Sequence, residues 1–154
     1  MANTVLIIGV FFAFEHGKEV IPLGVVLIVT YTDWINKNPI LCLIAPGIGF
    51  GFLMVVGTQF ALEGGNMPKS WLIAIIPFFL VNNLLLLNQY PDIHADANVG
   101  RKHFPIAYGV KTSNIIYGLF IALTIITIVL FIVSGYLPVL SLVALPPIPL
   151  AFFP

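Results

Sequence analysis

The chain has 154 residues, of which 60% are hydrophobic and only 8% are charged, and its formal net charge is zero. Soluble domains carry about 25% charged residues, so the composition excludes a soluble globular protein and indicates an integral membrane protein. Zero net charge provides no general attraction to nucleic acid. The single cysteine, Cys42, excludes an intramolecular disulfide framework and a cysteine metal cluster.

Stretches without charge predict the membrane helices, because about 20 apolar residues are needed to cross the hydrocarbon of a bilayer. We predict an all-α, polytopic transmembrane bundle that forms a single domain over residues 1–154. About six helices are expected, and the sequence Ser134–Gly135 divides the last two. The predicted helices cover residues 2–15, 19–34, 39–62, 69–87, 112–133 and 137–154.

Four residues inside the predicted helices carry structural information. Pro46 and Pro77 predict local kinks, since proline removes a backbone hydrogen bond and neighbouring helices can satisfy the freed carbonyl. Asn82 and Asn83 lie one to two turns before a polar segment. Buried amides in a membrane helix need partners, so we expect them to bond to adjacent helices or to line a cavity.

Basic residues predict the orientation of the bundle, because cytoplasmic loops carry an excess of Lys and Arg. Alternating helices place four basic residues on one side and two on the other. The first group is Lys37, Arg101, Lys102 and Lys111, and the second is Lys18 and Lys69. The side with four basic residues also carries the long polar segment, which we therefore expect in the cytoplasm.

The polar segment begins NQYPDIHADANVGRK and places Asn88, Asp92 and Asp96 four residues apart. On a continuous helix these three side chains would share one face over two turns. Pro91 predicts a bend just before Asp92, and Gly100 predicts the end of the helix. Carboxylates next to membrane hydrocarbon are costly, so they are a functional-site hypothesis by default.

Two carboxylates can hold Mg²⁺, and the cations Arg101 and Lys102 that follow can hold phosphate oxygens. This chemistry suits a diphosphate-bearing substrate at a membrane surface. Three alternatives remain open from spacing alone: two ordinary solvated carboxylates, an ion pair of Asp96 with one of the two cations, and a cation or proton path.

The two histidines of the polar segment, His94 and His103, lack the H-x-x-x-H or H-E-x-x-H spacing of metal ligands. We therefore predict that both are surface or loop residues. Neither is assigned a catalytic or metal-binding role.

The run NQYPDIHADANVGRKHFPIAYG resembles the second aspartate-rich motif of the UbiA superfamily of intramembrane prenyltransferases. It is most similar to the branch that contains 1,4-dihydroxy-2-naphthoate polyprenyltransferase, the enzyme of menaquinone synthesis. The match includes the Asn, both Asp, the Gly-Arg-Lys that follows, and the Tyr-Gly before the next helix. A looser match upstream comprises Tyr31–Thr32 and the helix with GIGFGFLMVVGTQF.

The resemblance implies a ring of nine helices around a cavity open to the bilayer, with two Asp-rich motifs facing each other across it. Each motif helps to hold Mg²⁺ against a polyprenyl diphosphate. Loss of diphosphate then yields an allylic cation, which an electron-rich aromatic acceptor attacks. The implied setting is quinone biosynthesis in the cell's inner or plasma membrane.

The family's site residues transfer to six positions of this chain. The resemblance implies that Asp92 and Asp96 are catalytic and metal-binding, with Asn88 as a further ligand of metal and diphosphate. It implies diphosphate binding by Arg101, Lys102 and Tyr31.

The sequence departs from the family because no N-x-x-x-D or D-x-x-x-D occurs before Asn88, so the first Asp-rich motif is missing. The chain resembles an internal part of a prenyltransferase, incomplete at both ends. Three hypotheses follow: a prenyltransferase or part of one; a non-catalytic membrane fragment that needs a partner chain for the missing motif; and a small cation carrier that uses Asp92 and Asp96. Acceptor identity and donor length are not readable from the sequence.

Overall fold

The computed structural model of the chain describes residues 34–63 and 68–145. These residues are mainly helical and contain no strand, which confirms the predicted all-α class. Three helical segments among them are long and apolar enough to cross a membrane, and we call them the first, second and third spans. They are Pro39–Phe60, Pro68–Asn88 and Phe104–Val133. The predicted helix at 2–15, most of the one at 19–34, and Tyr31 lie outside the described residues.

The spans are built from shorter regular elements. A 3₁₀ turn precedes the first span, and a 3₁₀ helix follows the third. In chain order, the elements are the turn Ile35–Lys37, α1 Pro39–Pro46, a π-helical segment Gly47–Leu53, α2 Met54–Glu63, α3 Pro68–Ile73, α4 Ile75–Asn88, α5 Ile93–Asn98, α6 Phe104–Val133 and the 3₁₀ helix Val139–Ala144. The predicted helices at 39–62 and 69–87 are thereby confirmed.

Both predicted proline kinks are present. Pro46 is the last residue of α1, and the wider π-helical turn begins at the next residue. Pro77 cannot donate to the carbonyl of Ile73, and the helix is interrupted at Ala74, between α3 and α4. At Pro77 the missing N–H donor and the bulk of the ring account for the break in the preceding turn. At Pro46 the regular α-helix ends, and the irregular π-helical turns follow the proline.

The third span begins earlier than the predicted residue 112. Helix α6 starts at Phe104, and a non-helical conformation at Gly109 (φ 80°, ψ 162°) kinks it. The non-helical Gly109 divides α6 into two helical pieces, and the longer piece begins close to residue 112, where the charge-free run after Lys111 predicted the helix to start. The span ends at Val133 as predicted, where Gly135 adopts φ 74°.

The predicted helix at 137–154 is wrong over its described part. This part forms only the short 3₁₀ helix Val139–Ala144, while residues 146–154 lie outside the described residues. Pro138 precedes the short helix in an extended conformation. This extended conformation of Pro138 (φ −68°, ψ 152°) separates the short helix from the end of the third span.

Adjacent asparagines join the second span to both of its neighbours. The N–H of Gly47 in the first span donates to Asn82 Oδ1 at 2.6 Å. Asn83 Nδ2 donates to the carbonyl of Tyr117 in the third span at 3.0 Å. Both asparagines are buried, so the predicted bonds to adjacent helices are confirmed.

The start of the first span, the end of the second and the start of the third meet at one end of the bundle. Leu43, Leu86 and Phe104, one from each span, form a buried cluster there, and Tyr90 packs against it. Gln89 Nε2 also donates to Cys42 Sγ at 3.5 Å. This cluster supports the connection between the second and third spans, which we call the polar loop (residues 89–103).

Candidate functional site

The polar loop does not continue the helix of the second span. Helix α4 ends at Asn88, and α5 begins at Ile93 after a turn. Asn88, Asp92 and Asp96 therefore do not share one face of a continuous helix, and the predicted bend before Asp92 is confirmed. Pro91 lacks the N–H that would extend the α-helical pattern, which explains why the helix stops here.

The two aspartates remain one helical turn apart. Asp92 is the N-cap residue of α5, and its carbonyl accepts the N–H of Asp96 at 2.8 Å. The Asp92 side chain is exposed and makes no capping hydrogen bond. The Asp96 side chain is only 16% exposed. Asn88 is exposed at the end of α4 and does not share their helix.

Asp96 accepts contacts from two side chains, one on each carboxylate oxygen. Arg101 Nη1 lies 2.9 Å from Oδ1, and His103 Nε2 lies 3.0 Å from Oδ2. The ion pair between Asp96 and Arg101, left open from sequence, is therefore present. It neutralises the carboxylate but leaves a further lone pair on each oxygen.

A glycine turn creates this arrangement. Gly100 adopts φ 78°, as expected for a residue that ends a helix in the left-handed conformation. The N–H of Arg101 then donates to the carbonyl of Asp96 at 3.0 Å, and the N–H of Gly100 donates to the carbonyl of Ala97 at 3.1 Å. These two bonds form a Schellman motif, which returns the chain so that Arg101 and His103 reach Asp96.

His103 is not the surface residue predicted from sequence. Its side chain is only 4% exposed, whereas His94 is exposed as predicted. Burial lowers the pKa of His103, and this effect outweighs the opposing influence of the nearby Asp96 carboxylate. The imidazole is therefore neutral near pH 7, and an ionised Asp96 can only accept, so Nε2 carries the proton. No partner for Nδ1 occurs among residues 34–63 and 68–145.

Basic side chains surround the same end of the bundle. Arg101 is 52% exposed, so its guanidinium remains accessible beyond its contact with Asp96. Lys102 is exposed beside it, and Lys37 is exposed just before the first span. The polar loop thus carries cations next to carboxylates, which is an arrangement suited to a metal-bound phosphate.

The donor set fits Mg²⁺, which prefers oxygen ligands and usually takes one or two carboxylates together with substrate phosphates. Asp92 supplies a carboxylate that has no hydrogen-bond or ion-pair partner within the described ranges. No group of three or more His, Cys, Asp or Glu side chains in the described part of the chain could hold a metal ion. Besides Asp92 and Asp96, a metal at this loop would take its remaining ligands from the Asn88 amide, water, the substrate or residues beyond those described.

The base of the loop is fixed by a residue that sequence reasoning missed. Tyr90 is half-buried, and its hydroxyl donates to Asn114 Oδ1 at 2.7 Å. Burial raises the pKa of Tyr90, so the hydroxyl stays protonated and remains a donor. The sequence does show a tyrosine just before Pro91 at a membrane boundary, which could have suggested an anchoring role. Its partner Asn114 lies 24 residues away along the chain, so the hydrogen bond itself was not predictable.

An apolar groove of about 200 Å³ lies between the second and third spans. Along α4 it extends to Leu87, the residue before Asn88, so it approaches the polar loop. Asn83 and Thr124 are its two buried polar residues. The full lining consists of Leu80, Asn83, Leu84, Leu87, Tyr117, Ile121 and Thr124. Such a groove can accept an alkyl chain but no charged group.

Comparison with protein families supplies the identification. The family model described as UbiA prenyltransferase family matches residues 1–154. The chain belongs to this UbiA family. A search of curated proteins and a search of solved structures each found no match.

Family membership confirms the general part of the resemblance seen in the sequence. It implies a polytopic membrane protein that transfers a prenyl group, with a prenyl diphosphate and an aromatic compound as substrates. The three apolar spans agree with a location in the lipid bilayer. Membership in the UbiA family does not favour the cation-carrier hypothesis.

Proposed function

We propose that this UbiA-family chain takes part in Mg²⁺-dependent transfer of a polyprenyl group from polyprenyl diphosphate to an aromatic acceptor such as 1,4-dihydroxy-2-naphthoate. The observation that carries the proposal is the polar loop. It places Asp92 and Asp96 one turn apart and sets Arg101 against Asp96 at 2.9 Å. The similarity of its sequence to the menaquinone branch of the family supports this acceptor.

Asp92 and Asp96 would hold the metal, with the Asn88 amide as a further oxygen ligand. When bound, Mg²⁺ supplies positive charge that stabilises the leaving diphosphate. The exposed side chains of Arg101 and Lys102 bind diphosphate oxygens. Arg101 offers five N–H donors in a planar fork, so it can contact the diphosphate through donors that Asp96 does not use.

The apolar groove supports a binding path for the isoprenoid tail. Its α4 side ends at Leu87, next to Asn88, so a tail in the groove would direct its diphosphate toward the polar loop. The leucine and isoleucine side chains exclude water from this path. Exclusion of water favours attack by the aromatic acceptor over hydrolysis of the reactive prenyl group.

We propose that the polar loop faces the cytoplasm. Lys37, Arg101, Lys102 and Lys111 lie at or near the loop end of the described spans, while Lys69 starts the second span at the opposite end. This excess of basic residues favours a cytoplasmic side. A polyprenyl diphosphate, whose head group is charged, would then enter from the cytoplasmic leaflet.

The sequence contains one N-x-x-x-D-x-x-x-D motif. We propose that the facing half of the metal site comes from outside these 154 residues, for instance from a partner chain that carries a second Asp-rich motif. In that case the present chain alone binds the donor but does not turn it over. The non-catalytic fragment hypothesis shares this expectation.

A transfer assay tests the acceptor. Membranes that contain the chain, with and without co-expressed candidate partner chains, are given geranylgeranyl diphosphate, Mg²⁺ and either 1,4-dihydroxy-2-naphthoate or 4-hydroxybenzoate. We expect prenylated naphthoate where a co-expressed chain supplies the second Asp-rich motif, and its formation should stop when EDTA removes the metal. Prenylated hydroxybenzoate without prenylated naphthoate would contradict the proposed acceptor but retain the prenyltransferase activity.

A further inference from the structure

The two partners of Asp96 differ sharply in their exposure. The His103 side chain is 4% exposed, whereas that of Arg101 is 52% exposed. One oxygen of the carboxylate is thus held from inside the protein, and the other is held from its surface. An exposed ion pair contributes little to stability and is readily exchanged for another partner.

The backbone of His103 is fixed by the start of the third span. His103 is the N-cap residue of α6, and its carbonyl accepts the N–H groups of Ile106 and Ala107, each at 3.1 Å. Phe104 and Pro105, which follow it, are buried. The imidazole therefore has little freedom to leave Asp96, and its position depends on the core of the bundle.

We propose that His103 is a positioning residue for Asp96. It donates from Nε2 to Asp96 Oδ2 and keeps the carboxylate oriented for the metal, whether Arg101 binds the diphosphate through its unused donors or exchanges Oδ1 for it. The inference rests on the proposed function, in which Asp96 is a metal ligand and Arg101 a diphosphate ligand. Metal-binding carboxylates are commonly held by such outer hydrogen bonds, and losing one typically weakens metal binding tenfold to a hundredfold.

Two substitutions separate positioning from packing. His103→Gln keeps an N–H donor near the place of Nε2, while His103→Leu keeps an apolar side chain of comparable size without a donor. His94→Leu is the matched control, because His94 is an exposed histidine on the same loop. Thermal unfolding in detergent reports whether each variant retains the fold.

The decisive measurement is a Mn²⁺ titration followed by electron paramagnetic resonance, in the presence of geranylgeranyl diphosphate. Mn²⁺ replaces Mg²⁺ as a spectroscopic probe, so the readout does not depend on turnover. For the folded His103→Leu variant we expect binding of Mn²⁺ to weaken about tenfold to a hundredfold. His103→Gln should recover most of the affinity, and His94→Leu should match the wild type.

The outcomes separate the role of His103 from the proposed function. If the wild type binds Mn²⁺ and His103→Leu binds it equally well, the role of His103 is overturned while the proposed function stands. A folded His103→Gln variant as weak as the Leu variant also overturns the role, because the donor would then be irrelevant. If the wild type shows no diphosphate-dependent Mn²⁺ binding, the proposed function fails, and the inference fails with it.

Discussion

A glycine series in the first span tests how closely it packs against the second. A Cβ added at Gly51 would lie 2.7 Å from both the Cα and the backbone N of Phe78. A Cβ at Gly47 would lie 2.5 Å from Asn82 Nδ2 and 2.6 Å from Phe78 Cδ2. At Gly49, between them, an added Cβ meets no atom within 4 Å. Gly49→Ala is therefore a control in the same π-helical segment.

The magnitude follows from these distances. Ordinary contacts of a Cβ begin at 3.4 Å, so Gly51→Ala requires the spans to separate locally by about 0.7 Å. The obstacle is backbone, which cannot rotate away as a side chain can. Overpacking of this kind costs about 1–3 kcal/mol of unfolding free energy. Replacing Gly by Ala in a helix raises the unfolding free energy by about 1 kcal/mol, and Gly49→Ala has this stabilising effect without the clash.

Reversible unfolding in mixed detergent micelles, titrated with sodium dodecyl sulfate, measures the difference. We expect Gly51→Ala to be less stable than Gly49→Ala by about 1–3 kcal/mol. Gly47→Ala should also fall below Gly49→Ala, because its methyl group displaces the amide that accepts the Gly47 N–H. Equal stability of Gly49→Ala and Gly51→Ala would refute the close approach of the two spans.

Three further substitutions test other parts of the structure. Gly100→Ala should lower the unfolding free energy by about 1–2 kcal/mol in the same assay, since φ 78° is left-handed and unfavourable for alanine. An unchanged unfolding free energy would contradict the Schellman turn. Asn83→Leu should lower the unfolding free energy by less than about 1 kcal/mol, because single hydrogen bonds between membrane helices contribute little. A loss several times larger would contradict this and show that the bond to the Tyr117 carbonyl dominates the contact between the second and third spans. Arg101→Gln should weaken binding of geranylgeranyl diphosphate about tenfold or more, because a charge-assisted contact is lost. Isothermal titration calorimetry in detergent measures this affinity. Unchanged affinity would mean that Arg101 acts only as the partner of Asp96.

Sequence reasoning succeeded where one local property decides the structure. Runs of about 20 apolar residues identify the first and second spans, since the thickness of hydrocarbon sets their length. Proline chemistry predicted the distortions at Pro46 and Pro77, and glycine chemistry predicted the turns at Gly100 and Gly135. Each of these features depends on the residue itself and its nearest neighbours along the chain.

It failed where distant contacts decide the structure. The burial of His103 depends on how the third span packs beneath the loop, and its link to Asp96 depends on the turn at Gly100. The short helical piece that starts at Phe104 and precedes Gly109 was missed because polar residues at a membrane boundary interrupt the hydropathy signal. Pro91 was expected to bend the helix, but whether it bends or stops is decided by the surrounding packing.

The most direct test of the proposed function is Mg²⁺-dependent binding of geranylgeranyl diphosphate to the purified, folded chain in detergent. Wild type is compared with Asp92→Ala and Asp96→Ala, and His94→Ala serves as a control on the same short helix. We expect binding that requires Mg²⁺ and both aspartates and is unaffected in the control. Binding that is independent of Mg²⁺ or of both aspartates, or no binding by the folded wild type, would contradict it.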